Sequence, residues 1–409
     1  MLDAIIVGGR AAGSSLAMLL ARRGRRVLVL DRAAFPSDTM STHFFWPRTT
    51  AFLKDWGLLD RLAASGCPPI TRVRVTMADI EYGGAPSEVR GVATMYCPRR
   101  TVLDAMLVEA AREAGAEVRE GVTVSDVLWS DGRVAGVVAH DVQGNRLELR
   151  ARIVIGADGM NSRIARAIAA PYKVHEDAIT FAFYAYWDDV PLDHFGSHRS
   201  AGSRVLEFPT HNRQTCIYVG WPMARYPELK ANIEQAYLDE IAGAWGVRER
   251  ARKGRRATNV IGSSRLPNFY RRSAGPGWAL VGDAAYHKDP TTGMGIADAF
   301  LGAELLAQAV DNGVQDMSNA CLDESTQAYD SQLYEQTRFI FDWTLACSQF
   351  RAQAAMLDFY HGVLTNEADT VRMFDIYAGK EHMKTLFNRE TMEKYAAIGR
   401  AQTCAEAAS

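Results

Sequence analysis

Three carboxylates stand where an extended apolar run gives way to a turn. Asp31 follows Val27-Leu28-Val29-Leu30, Asp158 closes Ile153-Val154-Ile155-Gly156-Ala157-Asp158-Gly159, and Asp283 lies in Ala279-Leu280-Val281-Gly282-Asp283-Ala284-Ala285. A carboxylate fixed at a strand end can accept hydrogen bonds from sugar or polyol hydroxyls. Two glycine-bearing turns, Gly8-Gly9-Arg10-Ala11-Ala12-Gly13 and Gly293-Met294-Gly295, precede helical runs. Each offers free N–H groups and the positive end of a helix dipole to a pyrophosphate or a developing negative charge. His43, in Ser41-Thr42-His43-Phe44-Phe45-Trp46, and His287, just after the Gly282-Asp283 pair, are the candidate proton-transfer groups. Imidazole titrates nearest neutrality, which suits it to take a proton from a phenol or an amine.

The elements that must position these groups can be read in order. Ala4-Ile5-Ile6-Val7 is a short buried strand, the glycine turn follows, a helix is expected over about Ser14 to Arg23, and Val27–Leu30 is a second strand ending at Asp31. This is a dinucleotide-binding βαβ start: Gly8 permits the sharp turn, Gly13 the close helix–strand packing, and Asp31 sits where an adenosine ribose is held. Arg10 occupies the place where G-x-G-x-x-G has its second glycine, and Gly9 is expected to take over that role, shifted by one residue. Leu103, Met106, Leu107, Ala110 and Ala111 recur at helical spacing before a stop at Gly115, and a further amphipathic helix is expected over Ile296 to Val310.

Taken together, the glycine turn with Asp31, the Asp158-Gly159 motif and the Gly282-Asp283 motif resemble the flavoprotein monooxygenases of the para-hydroxybenzoate hydroxylase type. The resemblance covers roughly residues 1 to 310. It implies an α/β fold in which a Rossmann-like FAD-binding domain is interleaved with a mostly antiparallel substrate sheet and followed by a C-terminal helical region. It implies FAD as cofactor and NAD(P)H as transient electron donor. It places FAD contacts at Gly8, Gly9, Arg10, Ala12, Gly13, Asp31, Arg32, Arg48, Arg100, Val124, Asp158, Gly159, Gly282, Asp283, Pro290, Gly293, Met294 and Gly295. In relatives the glycine turn holds the pyrophosphate, the Asp-Gly motif serves FAD and NAD(P)H handling, and the Gly-Asp motif holds the ribityl chain.

Two departures stand out. The family often has Asn after the last glycine motif, whereas Ile296-Ala297-Asp298 supplies none, and the loop expected to cross the flavin ring, Tyr286-His287-Lys288-Asp289, is unusually polar. Lys288 reads equally well there as a proton-transfer group or as a solvated loop residue.

The reaction implied is reduction of FAD by NAD(P)H, reaction with O2 at the flavin C4a carbon, and delivery of one oxygen atom from the hydroperoxide to a small aromatic or apolar substrate. Phe181, Phe183, Tyr184, Tyr218 and Trp221 can wall an aromatic pocket, since a strand presents alternate residues to one side. Three alternatives share the fold. Halogenases carry Trp-x-Trp-x-Ile-Pro, for which no pair of tryptophans here has the spacing. Prenyl reductases carry Tyr-x-Trp-x-Phe-Pro, of which Tyr218-Val219-Gly220-Trp221-Pro222 is a loose echo. Some members are carriers without redox chemistry, which the intact aspartate motifs disfavour.

Organisation follows from the motifs. The FAD-binding domain is expected from residues 1–70, 98–170 and 271–310, the substrate domain from 71–97 and 171–270, and a helical cap from 311–409. In the cap the apolar residues Tyr334, Phe339, Ile340, Trp343, Phe350, Met356 and Phe359 are assigned to packing, and the tail Ala405–Ser409 is expected to fray. With 409 residues, 48% hydrophobic and 23% charged, the chain can bury one large or two fused cores. A net charge of -2 gives no footprint for nucleic acid. Six scattered cysteines suit neither a disulfide framework nor a metal site. No apolar run reaches the roughly 18 residues of a membrane span, and a cytoplasmic location is expected.

Overall fold

The apolar runs Ala4–Val7, Val27–Leu30 and Ile153–Ile155 are buried on both faces, which is how the centre of a parallel sheet reads. In the computed structural model they form that centre. Residues 1–200, 202–315, 318–350 and 354–407 are described, so the end of the tail expected to fray, residues 408–409, lies outside them. The sheet runs Ala274–Gly275, Trp278–Leu280, Arg146–Gly156, Leu2–Val7, Val27–Asp31, Glu117–Glu120, with all but the first pair parallel. The strand Arg146–Gly156 serves two roles. Its first half alternates exposed and half-buried residues while paired antiparallel with Arg133–His140, and its second half, Ala151–Gly156, is continuously buried as it enters the parallel sheet. Helices Ala11–Arg22, Arg100–Glu113 and Gly295–Gln315 pack together beside this sheet.

The first helix begins three residues earlier than its expected start at Ser14. Arg10 is its extended N-cap (φ -89°, ψ -163°) and makes no side-chain cap bond, so Ala11, Ala12 and Gly13 already form the first turn. Gly8 takes φ +104°, and a Cβ there would come within 2.5 Å of the Ala157 carbonyl oxygen. At Gly13 a Cβ would overlap the Gly8 carbonyl oxygen outright, so strand, turn and helix can only pack this closely through glycine.

A second sheet runs Arg255–Arg256, Thr180–Asp188, Thr215–Pro222, Arg204–Pro209, Phe195–Arg199, Val73–Met77, Ile80–Gly84, with Ile261–Ser263 also on Thr180–Asp188. It is antiparallel except where Phe195–Arg199 runs parallel to Val73–Met77. Its two faces bury different sets. Ala182, Tyr184, Tyr186, Phe208, Cys216 and Tyr218 join Phe44, Trp46 and Met294 on the side facing the first domain. Phe181, Ala185, Trp187, Val219 and Trp221 pack on the other side with Tyr237 and Ile241 of helix Ile233–Gly243. A small third sheet joins Tyr172–Glu176, Asn268–Arg271 and Tyr286–His287.

The expected boundary at residue 310 falls inside helix Gly295–Gln315, because the amphipathic pattern continues through Val310, Gly313 and Val314, all buried. Helix Asn319–Cys347 packs along it, and helices Ala354–Val363, Glu367–Ala378 and Arg389–Ala407 complete the C-terminal region. No described helix is long and apolar enough to cross a membrane.

Candidate active site

A cavity of about 760 Å³ runs from the first glycine turn to the loop at Pro290. Sixteen of the twenty residues singled out in the sequence line it: Gly8, Arg10, Ala12, Asp31, Arg32, His43, Arg100, Val124, Asp158, Gly159, Gly282, Asp283, His287, Pro290, Gly293 and Gly295. Asp31 is preorganised at the strand end, accepting the Gly9 N–H at 2.6 Å on one carboxylate oxygen and the Ala33 N–H at 2.7 Å on the other. Asp158 accepts the Arg163 N–H at 2.6 Å through Oδ2, while its buried Oδ1 has no partner among the described residues. Gly159 and Gly295 face open space where a side chain would otherwise project.

Gly9, Gly13, Arg48 and Met294 are not on the cavity wall. Gly13 acts through close packing. Gly9 does not replace the missing second glycine; it donates to Asp31, and a Cβ there would meet only ordinary contacts at 3.4 Å or more. Arg10 is held at the cavity wall, its guanidinium bonding Asp104 Oδ2 at 2.7 Å and Ser37 Oγ at 2.9 Å and lying 5.6 Å from the Phe35 ring centroid. Fully buried Asp104 also takes two bonds at 2.9 Å from Arg100, fixing that arginine beside the cavity. Arg48 packs its stem beneath Gly379 instead of facing the cavity. Met294 is buried in the apolar cluster between the domains.

The structure removes His43 from the role of base. The Ser41 carbonyl oxygen, 2.7 Å from Nδ1, can only accept, so Nδ1 carries the proton and Nε2 accepts from the Tyr186 hydroxyl at 3.1 Å. Burial, helped by the nearby Arg100 and Arg99 guanidiniums, pushes its pKa down to about 3. His287 is different. Its Nδ1 donates to the Pro267 carbonyl at 2.5 Å, which leaves the lone pair on Nε2, and that nitrogen has no hydrogen-bond partner among the described residues. Lys288 is not solvated: it is buried and forms an ion pair with Asp298 in the first turn of helix Gly295–Gln315. Burial depresses its ammonium, and the Asp283 carboxylate opposes that fall.

Of the expected aromatic wall, Tyr184 and Tyr218 line the cavity. Phe181, Phe183 and Trp221 lie on the opposite face, where Phe181 and Trp221 stack with centroids 5.1 Å apart. The strand register decides this: odd residues of Thr180–Asp188 point away from the cavity. In the echo of the prenyl-reductase motif, a Cβ at Gly220 would meet the Tyr218 ring.

A narrow second chamber of about 40 Å³ adjoins the cavity, the two sharing Thr42, Phe44, Pro290 and Gly293. Its wall includes Trp46, Phe195, Phe208, Phe374, Tyr377, Arg199 and Arg204. The intervening loop is braced from several sides. Trp46 Nε1 donates to Thr292 O at 2.9 Å, Arg204 to Thr291 O at 3.1 Å, Thr180 to Asp289 at 2.5 Å, and Asn268 accepts the Asp289 N–H at 2.7 Å. Trp46, Asn268 and Arg204 carry no motif and were not legible as site residues.

The cavity, with a glycine turn at an uncapped helix start, strand-end carboxylates and a second glycine-led helix, is laid out to hold a dinucleotide cofactor. The chain belongs to the FAD binding domain family, whose model matches residues 1–324. It is 31% identical over 338 residues to the menaquinone reductase of Mycolicibacterium smegmatis, covering 78% of each chain. It is 30% identical over 329 residues to digeranylgeranylglycerophospholipid reductase 1 of Methanopyrus kandleri, covering 77% of this chain and 81% of that one. The fold matches a flavoprotein/dehydrogenase from Cytophaga hutchinsonii with TM-score 0.82 at 16% identity, over 98% of this chain and 99% of that one. It also matches a probable FAD-dependent monooxygenase from Pseudomonas aeruginosa with TM-score 0.70 at 19% identity, over 93% of this chain and all of that one. The flavoprotein fold of the para-hydroxybenzoate hydroxylase type and FAD as cofactor follow.

Proposed function

We propose that the chain is a NAD(P)H-dependent monooxygenase acting on a small aromatic or apolar molecule. The carrying observation is the second chamber, a short aromatic enclosure set against the Pro290–Gly293 loop and closed by Phe374 and Tyr377 of helix Glu367–Ala378. Such walls exclude water from one end of a substrate lying in the main cavity.

The residues present fit FAD. The first turn of helix Ala11–Arg22 would hold the pyrophosphate, Asp31 the adenosine ribose, and Asp283, exposed in the cavity, the ribityl chain. The unpartnered Oδ1 of Asp158 can accept a further bond from the cofactor or from the nicotinamide. The Gly293–Gly295 turn would present its amides to the ring. When bound, FAD supplies two-electron reduction by NAD(P)H and activation of O2. One oxygen atom then goes to the substrate and the other leaves as water, with the nicotinamide providing both electrons. His287 would accept the proton of a phenol or amine at Nε2, its tautomer set by Pro267.

A second reading, reduction of an apolar prenyl substrate, is favoured by the named activities of the relatives from M. smegmatis and M. kandleri. Against it stands the segment Tyr218-Val219-Gly220-Trp221-Pro222, which is one residue shorter than the Tyr-x-Trp-x-Phe-Pro motif and cannot match both its tyrosine and its proline. The test is turnover of a panel of phenols and aromatic acids under 18O2. One labelled oxygen per product and per NAD(P)H supports oxygenation. A product gaining two hydrogens, formed equally well without O2, moves the assignment to the reductase.

A further inference from the structure

Lys288 and Asp298 form a buried ion pair to which the chemistry above gives no task. Their side chains are 3% and 8% exposed, and both line the cavity. Among the described residues, Lys288 Nζ and Asp298 Oδ2 have no hydrogen-bond partner outside the pair. The other charges acting on Lys288 are those of Asp283 and Arg48. The loop that carries the lysine is pinned on both sides, at His287 by the Pro267 carbonyl and at Asp289 by Thr180 and Asn268. Asp298 is set in the first turn of helix Gly295–Gln315, its N–H bonded to Met294 O at 3.0 Å.

A buried ion pair is a weak source of stability, since well-packed apolar residues of the same volume often do as well. Its place on the cavity wall calls for another reason. The start of helix Gly295–Gln315 carries the positive end of the helix dipole, and a carboxylate in the first turn cancels part of that field. Lys288 restores positive charge to the wall that carries Asp283 and the Gly293–Gly295 turn, the wall read above as facing the ribityl chain and the ring. Lys288 and Arg48 balance Asp283 and Asp298, so these four groups are neutral as a set while the flavin is oxidised. Hydride transfer then breaks a C–H bond of the nicotinamide, moves that hydrogen with two electrons to the flavin, and leaves one more negative charge on the ring.

We infer that Lys288 is the counter-charge for the reduced flavin, and that Asp298 is the positioning residue that holds the ammonium and limits its pull. This rests on FAD filling the cavity, and not on whether the reduced flavin then serves oxygenation or prenyl reduction.

The test measures the two-electron midpoint potential of the FAD-loaded parent, Lys288→Met, Asp298→Asn and the double variant by anaerobic reduction against reference dyes. Flavin content and urea unfolding are recorded for each. Lys288→Met is expected to shift the flavin toward its oxidised form about 10- to 100-fold, the order of effect of one charge at a site of intermediate permittivity. Each tenfold is about 30 mV for a two-electron couple. Asp298→Asn is expected to shift it toward the reduced form, and the double variant to fall between the two single ones. If Lys288→Met is too unstable to hold FAD, the difference between Asp298→Asn and the double variant isolates the lysine without leaving a lone carboxylate.

Equal potentials in Asp298→Asn and the double variant overturn the role of Lys288. So do shifts of one sign in all the variants, which report a loosened cavity and make the pair structural. Opposite shifts in a protein that never oxygenates a substrate support the counter-charge and count only against the monooxygenase reading.

Discussion

Acidification should weaken the fold through His43, by an amount that follows from its surroundings. The ring is enclosed, its Nδ1 proton bonded to the Ser41 carbonyl and its Nε2 to the Tyr186 hydroxyl. Burial and the neighbouring arginines push its pKa down to about 3. In the unfolded chain the same side chain takes up a proton near pH 6.5. Between those values the unfolded state binds more protons than the native one, so stability falls as the pH falls. From pH 7 to pH 5 the loss from this one group is about 2 kcal/mol. The comparison is His43→Asn, since asparagine does not titrate and tolerates the left-handed backbone at this position (φ 38°). Urea unfolding of FAD-loaded parent and variant at pH 7, 6 and 5 should show the parent losing about 2 kcal/mol more than the variant. Parallel pH dependence in the two proteins would refute the reasoning, because it would mean that His43 takes up its proton as readily in the fold as outside it.

Gly13→Ala should lose FAD binding by at least an order of magnitude and cost about 1–3 kcal/mol of stability, since the new methyl must displace the Gly8 carbonyl; flavin retention on gel filtration and chemical unfolding check both. Lys288→Met should destabilise by about 3 kcal/mol by leaving Asp298 buried and unpaired. The double variant Lys288→Met with Asp298→Asn should recover most of that loss in urea unfolding, whereas simple additivity would show that the two residues do not form a pair.

What could be read from the chain and what could not divides along the range of the interactions. The parallel strands were legible because Ile5, Val29 and Val154 belong to runs buried on both faces, and the glycine turn because sterics at Gly8 and Gly13 admit nothing larger. The start of the first helix was missed because small residues at 11–13 look the same in a turn and in a first helical turn. Lys288 reads equally as a proton-transfer group or a solvated loop residue until Asp298, ten positions on, is brought against it by the turn between them. The split between Tyr184, which lines the cavity, and Phe181, which does not, depends on which face of the strand meets the first domain, and alternation alone leaves that open. Arg199 and Arg204 are ordinary in sequence. Only the strand register sets them opposite each other, and only helix Glu367–Ala378 closes the chamber around them.

The most direct measurement is the absorbance spectrum of the purified chain, with released flavin quantified, followed by anaerobic NADH or NADPH. One FAD per chain is expected, its visible bands bleaching with a nicotinamide and returning in air. A colourless protein that cannot be reconstituted with FAD would contradict the assignment of the cavity, and with it the chemistry proposed for the chamber beside it.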